Sequence, residues 1–484
     1  MDDIDDADDP RSDSEAPPRV AIIEDDDLLS TSIPEPLPEL WTSTLEGRYG
    51  ELPDPEPSQF HGPKLQQPIN DPSKTTLSPR WWFSQWWTKD MTTLCMRQTN
   101  LYAAQCEASR DSSSRPWTSI SAREVEKFLG VLLALGLGSS SSPTCAWNGT
   151  YFTDTVKAAM GLIRFQQILR YLHCADNSKD SGEDDLFKVR DLLSMLNRNC
   201  QRMWTPSCIL AIDEMDIGFR GKHKHKQRIT FKKTGDGFLV FALCDSAGYV
   251  FAFFVKFDTQ WCRNIEGLCA SHSVVLALVD ILLEHNPLYK YGELYADNFY
   301  SSYELAEALF RRNIFYCCTA RKGRVPRTLS LPDDAPVNSF VQLHRQNTTV
   351  VRWRVKPSKD VLMITTAHRP VTATTKTKRR ARFNDASQTY EYVYEQEFTL
   401  NCANDYNMNM NLVDIADQIR GYFTTRRRTR KWWHRFFFFC LDTAACNSYV
   451  AYKTYWEAEN EGKENEDKRK VLTHRQFNHR LAEE

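Results

Sequence analysis

The sequence lacks an apolar run long enough to cross a bilayer, which takes about 20 residues. The longest candidate, Phe128–Leu137, is interrupted by Gly130 and Gly136 and predicts a buried helix instead. The N-terminus is acidic and has neither a basic start nor an apolar signal region. We therefore expect neither secretion nor membrane insertion.

Paired cysteines are also lacking. The 14 cysteines are scattered, and no Cys-x-x-Cys pair occurs among them. Because structural zinc sites usually take paired ligands at short spacing, this pattern argues against a zinc module. Neither Cys317-Cys318 nor the Cys440/Cys446 pair has the required spacing. We expect reduced, mostly buried thiols of an intracellular protein.

The net charge of −2 hides an uneven distribution along the chain. Residues 1–60 carry 18 acidic and 3 basic side chains, a balance of −15, which leaves +13 on the remaining chain. Residues 1–78 are rich in Asp, Glu, Pro and Ser without periodicity, which predicts a disordered acidic tail. The basic remainder is typical of a protein that binds a polyanion.

Beyond the tail, the pattern is first helical and then alternates between strands and helices. Residues 79–207 carry apolar residues at helical spacing, with a capping box at Ser121–Glu124. Strands are predicted at Cys208–Asp213, Phe238–Cys244, Tyr249–Val255, Gly292–Ala296 and Ile314–Thr319, and helices at Ser273–Glu284 and from a second capping box at Ser301–Glu304. This order favours an α/β fold with an RNase H-like core.

Four carboxylates lie where the pattern makes a charge unexpected. Asp213 and Asp297 end apolar strands, while Asp414 and Asp417 share one face of a predicted helix. The helix expected directly after Asp297 should favour an ionised carboxylate there. Carboxylates gathered from separate elements suit Mg²⁺ or Mn²⁺, and two such ions promote displacement at phosphorus. Taken singly, each aspartate is equally consistent with a helix cap or a salt-bridge partner.

Three basic clusters are candidates for contacts with DNA phosphates. One follows Asp213, one lies within residues 320–400, and one follows Asp417. The first contains Arg220, Lys222, Lys224, Lys226, Arg228, Lys232 and Lys233; the second Lys376, Lys378, Arg379, Arg380 and Arg382; the third Arg426, Arg427, Arg428, Arg430 and Lys431.

Roles unrelated to DNA account equally well for parts of these clusters and for residues beside them. The composition of the second cluster also suits a nuclear import signal or a flexible loop. Trp432 and Trp433, which directly follow the third cluster, suit the core as readily as a base-stacking platform. His223 and His225 alternate with lysines, so we expect them to be exposed and do not propose them as ligands.

Six motifs resemble the piggyBac transposase family in order and spacing, across about residues 80–455. They are Gln98–Gln105, Arg164–His173, Ile212–Gly221, Cys244–Tyr249, Ala296–Ser302 and Tyr406–Gln418. The resemblance implies a catalytic triad at Asp213, Asp297 and Asp414, with Asp417 as a further acidic residue and Mg²⁺ as cofactor. It also implies cleavage at transposon ends and strand transfer to TTAA targets.

The resemblance implies a domain layout as well. An RNase H-like core would span 208–319 and 401–417, with an insertion domain at 320–400 between its parts. An all-helical dimerisation and DNA-binding domain would be split between 79–207 and 418–456, followed by a charged tail at 457–484. We expect a nuclear homodimer that binds double-stranded DNA.

Two departures from the family pattern keep a second interpretation open. The family's Met-Gly-Gly-Val-Asp run is Met410-Asn-Leu-Val-Asp414 here, which reduces backbone freedom before the third aspartate. Many members also end in a Cys/His zinc module, and no paired cysteines follow Cys446 here. The alternative is a catalytically silent, domesticated protein that binds DNA or chromatin.

Overall fold

The computed structural model describes residues 64–65, 78–108, 116–138, 144–148, 153–229, 235–258, 268–384, 389–464 and 468–484. The predicted disorder of residues 1–78 falls outside the described residues, apart from 64–65 and Ser78. Lys232 and Lys233 also lie outside them. Among the described residues, no helix combines the length and the apolar character that crossing a membrane requires.

Helices form the first part of the chain, as predicted. They are α1 (Pro79–Trp86), α2 (Lys89–Ala108), α3 (Ala122–Leu137), α4 (Cys145–Asn148), α5 (Thr153–Ala159), α6 (Leu162–Tyr171) and α7 (Arg190–Met203). Ser78 begins α1 by accepting a hydrogen bond from the Trp81 N–H, and Pro79 occupies the first turn, where no backbone donor is needed. The apolar run predicted as a buried helix lies in α3.

The predicted capping box at the start of α3 is only half formed. The Ser121 hydroxyl accepts a 3.2 Å hydrogen bond from the Glu124 N–H. The Glu124 carboxylate, however, binds Arg164 at 2.6 Å. Arg164 also donates to the Thr118 carbonyl at 2.8 Å. The Glu124 side chain therefore forms an ion pair between α3 and α6 instead of capping the N-terminus of α3.

A nine-stranded mixed sheet lies at the centre of the described chain. Two short strands, β1 (Lys64–Leu65) and β2 (Trp204–Thr205), pair separately. The central strands are β3 (Ile209–Gly218), β4 (Gln227–Ile229), β5 (Gly235–Asp245), β6 (Val250–Val255), β7 (Gly292–Ala296), β8 (Ile314–Thr319), β9 (Phe340–Arg345), β10 (Thr348–Lys356) and β11 (Lys359–Thr365). Their order is β4-β5-β3-β7-β8-β11-β10-β9, and β6 also pairs with β5.

Strand direction changes on either side of β3. On one side β5 pairs with β3 in antiparallel register, and β6 returns antiparallel to β5 as the predicted hairpin. On the other side β7 is parallel to β3, and β8 is parallel to β7. The structure gives β7 and β8 the predicted bounds, because both are short, mostly apolar and bounded by turns.

The segment 320–400 divides into two parts with different partners. Its first three strands extend the central sheet, because β11 pairs directly with β8. Its last two strands, β12 (Ala373–Asn384) and β13 (Thr389–Leu400), pair only with each other in the described chain, as a separate antiparallel ribbon. The predicted β-like stretches at 348–353 and 361–365 lie within β10 and β11.

Helices from both ends of the chain pack together beside the sheet. The later helices are α8 (Ala270–His285), α9 (Tyr303–Phe310), α10 (Asn401–Asn409), α11 (Leu412–Tyr422), α12 (Trp432–Glu459) and α13 (His474–Glu483). The first half of α12 is mostly apolar and largely buried, and it contacts α1 and α7. Trp86 of α1 donates a 2.7 Å hydrogen bond to the Tyr249 hydroxyl, which ties this helical layer to the sheet.

The described cysteines are free thiols, and most of them are buried, as predicted. Cys317 and Cys318 lie side by side in β8 and are both buried. Burial raises the pKa of the Cys318 thiol to about 12, so the thiol stays protonated at neutral pH.

Candidate active site and basic surface

Asp213 and Asp297 occupy neighbouring positions on two parallel strands. Ile212 of β3 pairs with Ala296 of β7, and each aspartate is the next residue along its chain. Adjacent strands lie about 4.8 Å apart, so the two carboxylates start from neighbouring backbone positions. The prediction that Asp213 ends its strand is wrong, because β3 continues to Gly218 in its pairing with β5. Only the parallel pairing with β7 stops at Ile212.

The Asp297 carboxylate caps a tight turn. It accepts a 2.7 Å hydrogen bond from the Phe299 N–H, at the start of a 3-10 turn spanning Asn298–Tyr300. Burial raises the pKa of the Asp297 carboxyl, and the negative charge of Asp213 raises it further. The prediction that a helix end would favour the ionised form is therefore wrong.

The helix after Asp297 begins later than predicted. Ser302, and not Ser301, is its N-cap, and its hydroxyl accepts a 3.2 Å hydrogen bond from the Leu305 N–H. The N-terminus of α9 is thus separated from Asp297 by the 3-10 turn. The positive end of the helix is for this reason too far along the chain to offset the burial of the carboxylate, since helix-dipole effects fade within one turn.

Tyr300 and Glu214 join this group, and sequence reasoning missed both. The fully buried Tyr300 donates a 2.8 Å hydrogen bond from its hydroxyl to Glu214 Oε1. Burial raises the pKa of Tyr300, as do the charges of Glu214, Asp213 and Asp297. Both residues lie in the same sequence motifs as Asp213 and Asp297, and this proximity in sequence could have identified them.

Asp414 and Asp417 lie on α11, which packs against β3 and β5. Asp417 forms an ion pair with Arg420 one turn later. The Arg420 guanidinium also donates a 2.9 Å hydrogen bond to the Asp216 carbonyl of β3. Asp417 therefore helps to fasten α11 to the strand that carries Asp213, which is a positioning contact.

The carboxylates fit a divalent cation only in part. Asp213 and Asp297 are hard oxygen donors at neighbouring positions, which suits Mg²⁺ or Mn²⁺. Within the described ranges, however, no three His, Cys, Asp or Glu side chains lie together in a way that could hold a metal ion. Asp414 is thus not gathered with the other two into one ligand set. The donor chemistry fits at two of the three predicted ligands.

Two lysines of the first basic cluster form ion pairs with neighbouring aspartates. Arg220, Lys222 and Arg228 are at least partly exposed, while Lys224 pairs with Asp185 and Lys226 with Asp236 at 3.7 Å. These pairs connect the cluster to the loop before α7 and to β5. Arg220, Lys222 and Arg228 are the exposed members for which the structure describes no such acidic partner in this segment.

The two histidines of this segment are not exposed, contrary to the prediction. His225 Nε2 lies 2.6 Å from Asp185 Oδ2, and its ring stacks on Phe257 at 4.5 Å. The ring centroid of His223 lies 4.8 Å from that of Trp432, and burial lowers the pKa of His223 to about 4. Alternation with lysine misled the prediction because an aromatic cluster from β5 and α12 covers this loop.

The second basic cluster lies on the β12–β13 ribbon and is split between its two faces. Lys376, Lys378, Arg380 and Arg382 share one face with Glu395 and Glu397, to which all four are paired. Arg379 lies on the other face, with its guanidinium carbon 3.5 Å from the Tyr392 ring centroid. The facing strand therefore neutralises much of the charge that suggested DNA contact.

The third cluster alternates between surface and interior. Arg426, Arg428 and Arg430 are exposed, but Arg427 is only 7% exposed. Lys431 donates a 2.6 Å hydrogen bond to the Arg170 carbonyl. Arg427 is therefore buried and Lys431 half-buried, so these two side chains are less accessible to DNA than the three exposed arginines. Trp433 is buried and Trp432 half-buried, which favours a place in the core for both.

The structure adds Arg435, which was not among the predicted contacts. Burial lowers its pKa to about 10, and so do the nearby charges of Arg426 and Arg220. The first and third basic clusters, about 200 residues apart in sequence, therefore meet around Arg435.

A family model described as Transposase IS4 matches residues 78–449 of this chain. PiggyBac transposable element-derived protein 3 of Homo sapiens is 24% identical over 373 residues, which cover 75% of this chain and 59% of that protein. The chain belongs to the piggyBac-type transposase family.

Two further comparisons support this family. PiggyBac transposable element-derived protein 2 of Homo sapiens is 24% identical over 297 residues, 61% of this chain and 47% of that protein. The chain thus spans between 47% and 59% of the length of these two human relatives. A cryo-EM structure of a piggyBac transposase synaptic complex with hairpin DNA aligns with a TM-score of 0.67 and 20% identity, covering 84% of this chain and 79% of that one. The fold is therefore the mixed α/β fold of a piggyBac transposase.

The absence of the two glycines of the piggyBac-type motif has a local structural reason. The two positions are Asn411, which precedes α11 with φ −99°, and Leu412, the first residue of α11, whose helical φ is negative. Both angles are accessible to any L-residue, so this junction does not need glycine. The two substitutions are accommodated without a left-handed backbone.

Proposed function

We propose that this protein is a DDD transposase or transposase-derived protein that catalyses metal-dependent DNA strand cleavage and strand transfer at TTAA-type sites. The observation that carries the proposal is the adjacent placement of Asp213 and Asp297 behind the paired residues Ile212 and Ala296. Family membership supports it, because six motifs that include both aspartates run in the family order.

Mg²⁺, or Mn²⁺ in its place, is the proposed cofactor, with Asp213 and Asp297 as ligands; Asp414, the third predicted ligand, would have to approach them when the ion binds. When bound, such ions activate an attacking oxygen and stabilise the leaving oxygen at phosphorus. The protein's own part is to hold two carboxylates side by side and to bring α11 against β3. Burial raises the pKa of Asp297, which opposes the ionised form that a metal ligand needs, and a bound cation would offset that effect.

The proposed core is RNase H-like. Its support is the strand arrangement. On one side of β3 lies the antiparallel β5, to which β6 pairs, and on the other side β7 and β8 follow as parallel strands. The helices before β3 and α12 after it would then be the two parts of one helical domain. Their mutual packing supports this division.

The proposed partner is double-stranded DNA, bound by exposed basic residues of the first and third clusters. Arg220, Lys222 and Arg228 supply one group, and Arg426, Arg428 and Arg430 the other. The solved relative is a synaptic complex with hairpin DNA, which makes DNA the reasonable partner for this chain too. A nuclear location and a homodimer complete the proposal.

A second candidate is a catalytically silent, domesticated protein that binds DNA or chromatin. A specific observation favours it: no set of three potential ligands lies together within the described residues. The names of the human relatives, transposable element-derived proteins 2 and 3, are consistent with such a history. The two candidates share the DNA surface and differ only in the carboxylate chemistry.

The test is a cleavage and strand-joining assay on DNA with TTAA-flanked candidate ends. Wild-type protein, Asp297→Asn and an Asp154→Asn control, which changes an exposed carboxylate of α5, are compared with Mg²⁺, Mn²⁺ and EDTA. Metal-dependent nicking or joining by wild type and the control, but not by Asp297→Asn, supports the transposase. DNA binding without cleavage by any of the three, in either metal, rejects it in favour of the silent DNA-binding protein.

A further inference from the structure

A cavity of about 190 Å³ lies between the end of β3, the helix α11 and the first turns of α12. Both aliphatic and charged groups line it, among them Asp216, Asp417, Arg420, Arg426, Arg435 and Asp442. It therefore adjoins the strand that carries Asp213 and the helix that carries Asp414, without including either residue. A volume of this size holds a tetrahedral anion together with a few water molecules, because one water occupies about 30 Å³ of liquid.

Arg435 lines this cavity and carries one unsatisfied donor. Its Nη1 donates a long, 3.3 Å hydrogen bond to the Arg427 carbonyl. Its Nε is buried and has no hydrogen-bond partner in the part of the chain that the structure describes. A buried donor without a partner lowers the stability of the folded protein by about 1–3 kcal/mol, and a ligand that accepts its hydrogen bond would recover part of that free energy.

Three arginines from separate segments converge here. Arg220 follows β3, Arg426 lies between α11 and α12, and Arg435 lies in the first turn of α12. The charges of Arg426 and Arg220 act on Arg435 strongly enough to lower its pKa, after burial itself. Like charges held together in this way are stabilised when an anion binds between them.

Two of the three acids that line the cavity already have partners, one of which, Arg420, lines the cavity too. Asp417 is ion-paired with Arg420. Asp442 accepts hydrogen bonds from the Thr424 hydroxyl at 2.6 Å and from Thr425, through its hydroxyl at 2.7 Å and its N–H at 2.8 Å. Of the acids lining the cavity, Asp216 remains to oppose an anion, against Arg426, Arg435 and the nearby Arg220.

We propose that Arg426 and Arg435 bind a single DNA backbone phosphate in this cavity, with Arg220 contributing long-range attraction. Guanidinium groups suit this ligand because their planar fork matches two phosphate oxygens. Asp216 lies three residues after Asp213, or about 10 Å along the strand at roughly 3.3 Å per residue. The bound phosphate would thus lie within a few nucleotides of the carboxylates, at roughly 3.4 Å per nucleotide step.

This inference rests on the proposed DNA binding and not on cleavage, so the two are tested separately. Binding of labelled duplex DNA is measured without divalent metal, across a salt series, for wild type, Arg426→Gln, Arg435→Gln and the double variant. Arg202→Gln, which changes an exposed arginine at the end of α7, is the matched control. Thermal unfolding of each variant checks the fold. Arg426→Gln keeps the test valid if the half-buried Arg435→Gln unfolds, because Arg426 is exposed.

Each phosphate contact contributes about 0.9 to the slope of log K against log salt. If both arginines bind one phosphate, the double variant loses about 1 from that slope, and each single variant loses less. A double variant with the wild-type slope overturns the proposal. A loss of about 2 overturns the shared site, because the arginines would then contact separate phosphates.

A second arm separates DNA phosphate from free phosphate. Inorganic phosphate is added to wild type and to the double variant, and Tm is measured. If the cavity binds a DNA backbone phosphate, added inorganic phosphate competes for the same site. It should then weaken DNA binding by wild type more than by the double variant at matched ionic strength. A rise in Tm for wild type alone, with an unchanged DNA slope in the double variant, overturns the assignment to DNA in favour of a free anion.

Discussion

Trp204 donates a 2.8 Å hydrogen bond from its indole Nε1 to the buried carboxylate of Asp245. The same carboxylate accepts hydrogen bonds from the N–H groups of Ser207, Ala247 and Tyr249, at 3.1, 3.0 and 3.2 Å. Asp245 therefore shapes the turn between β5 and β6 and joins it to the chain that enters β3. Asp245 thus has a structural role, unlike the aspartates that are proposed to be catalytic.

Trp204→Phe should lower the free energy of unfolding by about 1–3 kcal/mol, because it removes one donor from a buried carboxylate and keeps most of the ring. The Phe ring retains stacking on Tyr249, whose centroid lies 4.6 Å from that of Trp204. Urea unfolding followed by fluorescence measures the change. A loss below about 0.5 kcal/mol, the typical surface value, would contradict this account of Asp245.

Asp297→Asn should stabilise the fold at neutral pH by about 0.5–2 kcal/mol while abolishing any cleavage, as is common when a strained functional charge is removed. Asn keeps an oxygen for the Phe299 N–H but carries no charge to be buried or repelled by Asp213. The pKa of Asp297 is raised in the folded state, so its penalty grows as pH rises above about 3.9, the unfolded value.

The gain from Asp297→Asn should accordingly shrink as pH falls and the wild-type carboxyl becomes protonated. Unfolding midpoints of wild type and variant, measured from neutral to acid pH, test this sign. Asp154→Asn on the exposed face of α5 is the control and should show no such convergence. Curves for Asp297→Asn that run parallel to wild type would reject the burial argument.

His223 should destabilise the fold as pH falls. Its pKa is lowered to about 4 by burial, so the unfolded chain, with a histidine pKa of about 6.5, binds the proton first. Stability is lost between these two values, at no more than about 1.4 kcal/mol per pH unit. The charges of Lys224 and Asp185 also act on this ring, in opposite directions.

His223→Phe should remove that loss and keep the aromatic contacts with Phe238 and Trp432. The measurement is the free energy of unfolding at intervals between pH 7 and about 4, the range that the two pKa values define. His285→Phe, at an exposed histidine near the end of α8, is the matched control. An unchanged pH slope in His223→Phe would show that another group carries the acid sensitivity.

Arg380→Gln on the ribbon should change the salt dependence of DNA binding much less than Arg426→Gln. Arg380 is already paired with Glu395 at 3.1 Å and Glu397 at 3.5 Å, so a phosphate would compete with two carboxylates. Arg426 is exposed and acts on Arg435, which Arg220 also approaches. Slopes of log K against log salt for both variants make the comparison. A larger loss from Arg380→Gln would reverse the ranking of the two clusters.

The sequence predicted strand bounds correctly where a short apolar run was bounded by turns on both sides. The runs at 292–296 and 314–319 are short, mostly apolar and bounded by turns, and the structure gives them as β7 and β8 without shift. Boundaries failed where a tertiary partner extended or redirected an element. β3 runs five residues beyond Asp213, to Gly218, because β5 pairs with it along the whole length.

Partner choice among charged residues was equally beyond sequence reasoning. The ribbon's basic residues resemble a DNA contact in the linear sequence, yet Glu395 and Glu397 face them across the ribbon. His223 and His225 alternate with lysines, yet Phe257 and Trp432 cover them. In each case the deciding neighbour is distant in sequence, and the composition of the segment itself does not contain it.

The sequence alone predicted the family, the candidate aspartates and most of the helices and core strands, because periodicity and motif spacing are properties of short segments. Tertiary structure decided which side chains meet. It brought Asp213 beside Asp297, placed Arg420 of α11 against the Asp216 carbonyl of β3, and brought Arg220 and Arg426 near Arg435. Strand register and helix packing set these distances, and both depend on burying apolar surface across the whole chain.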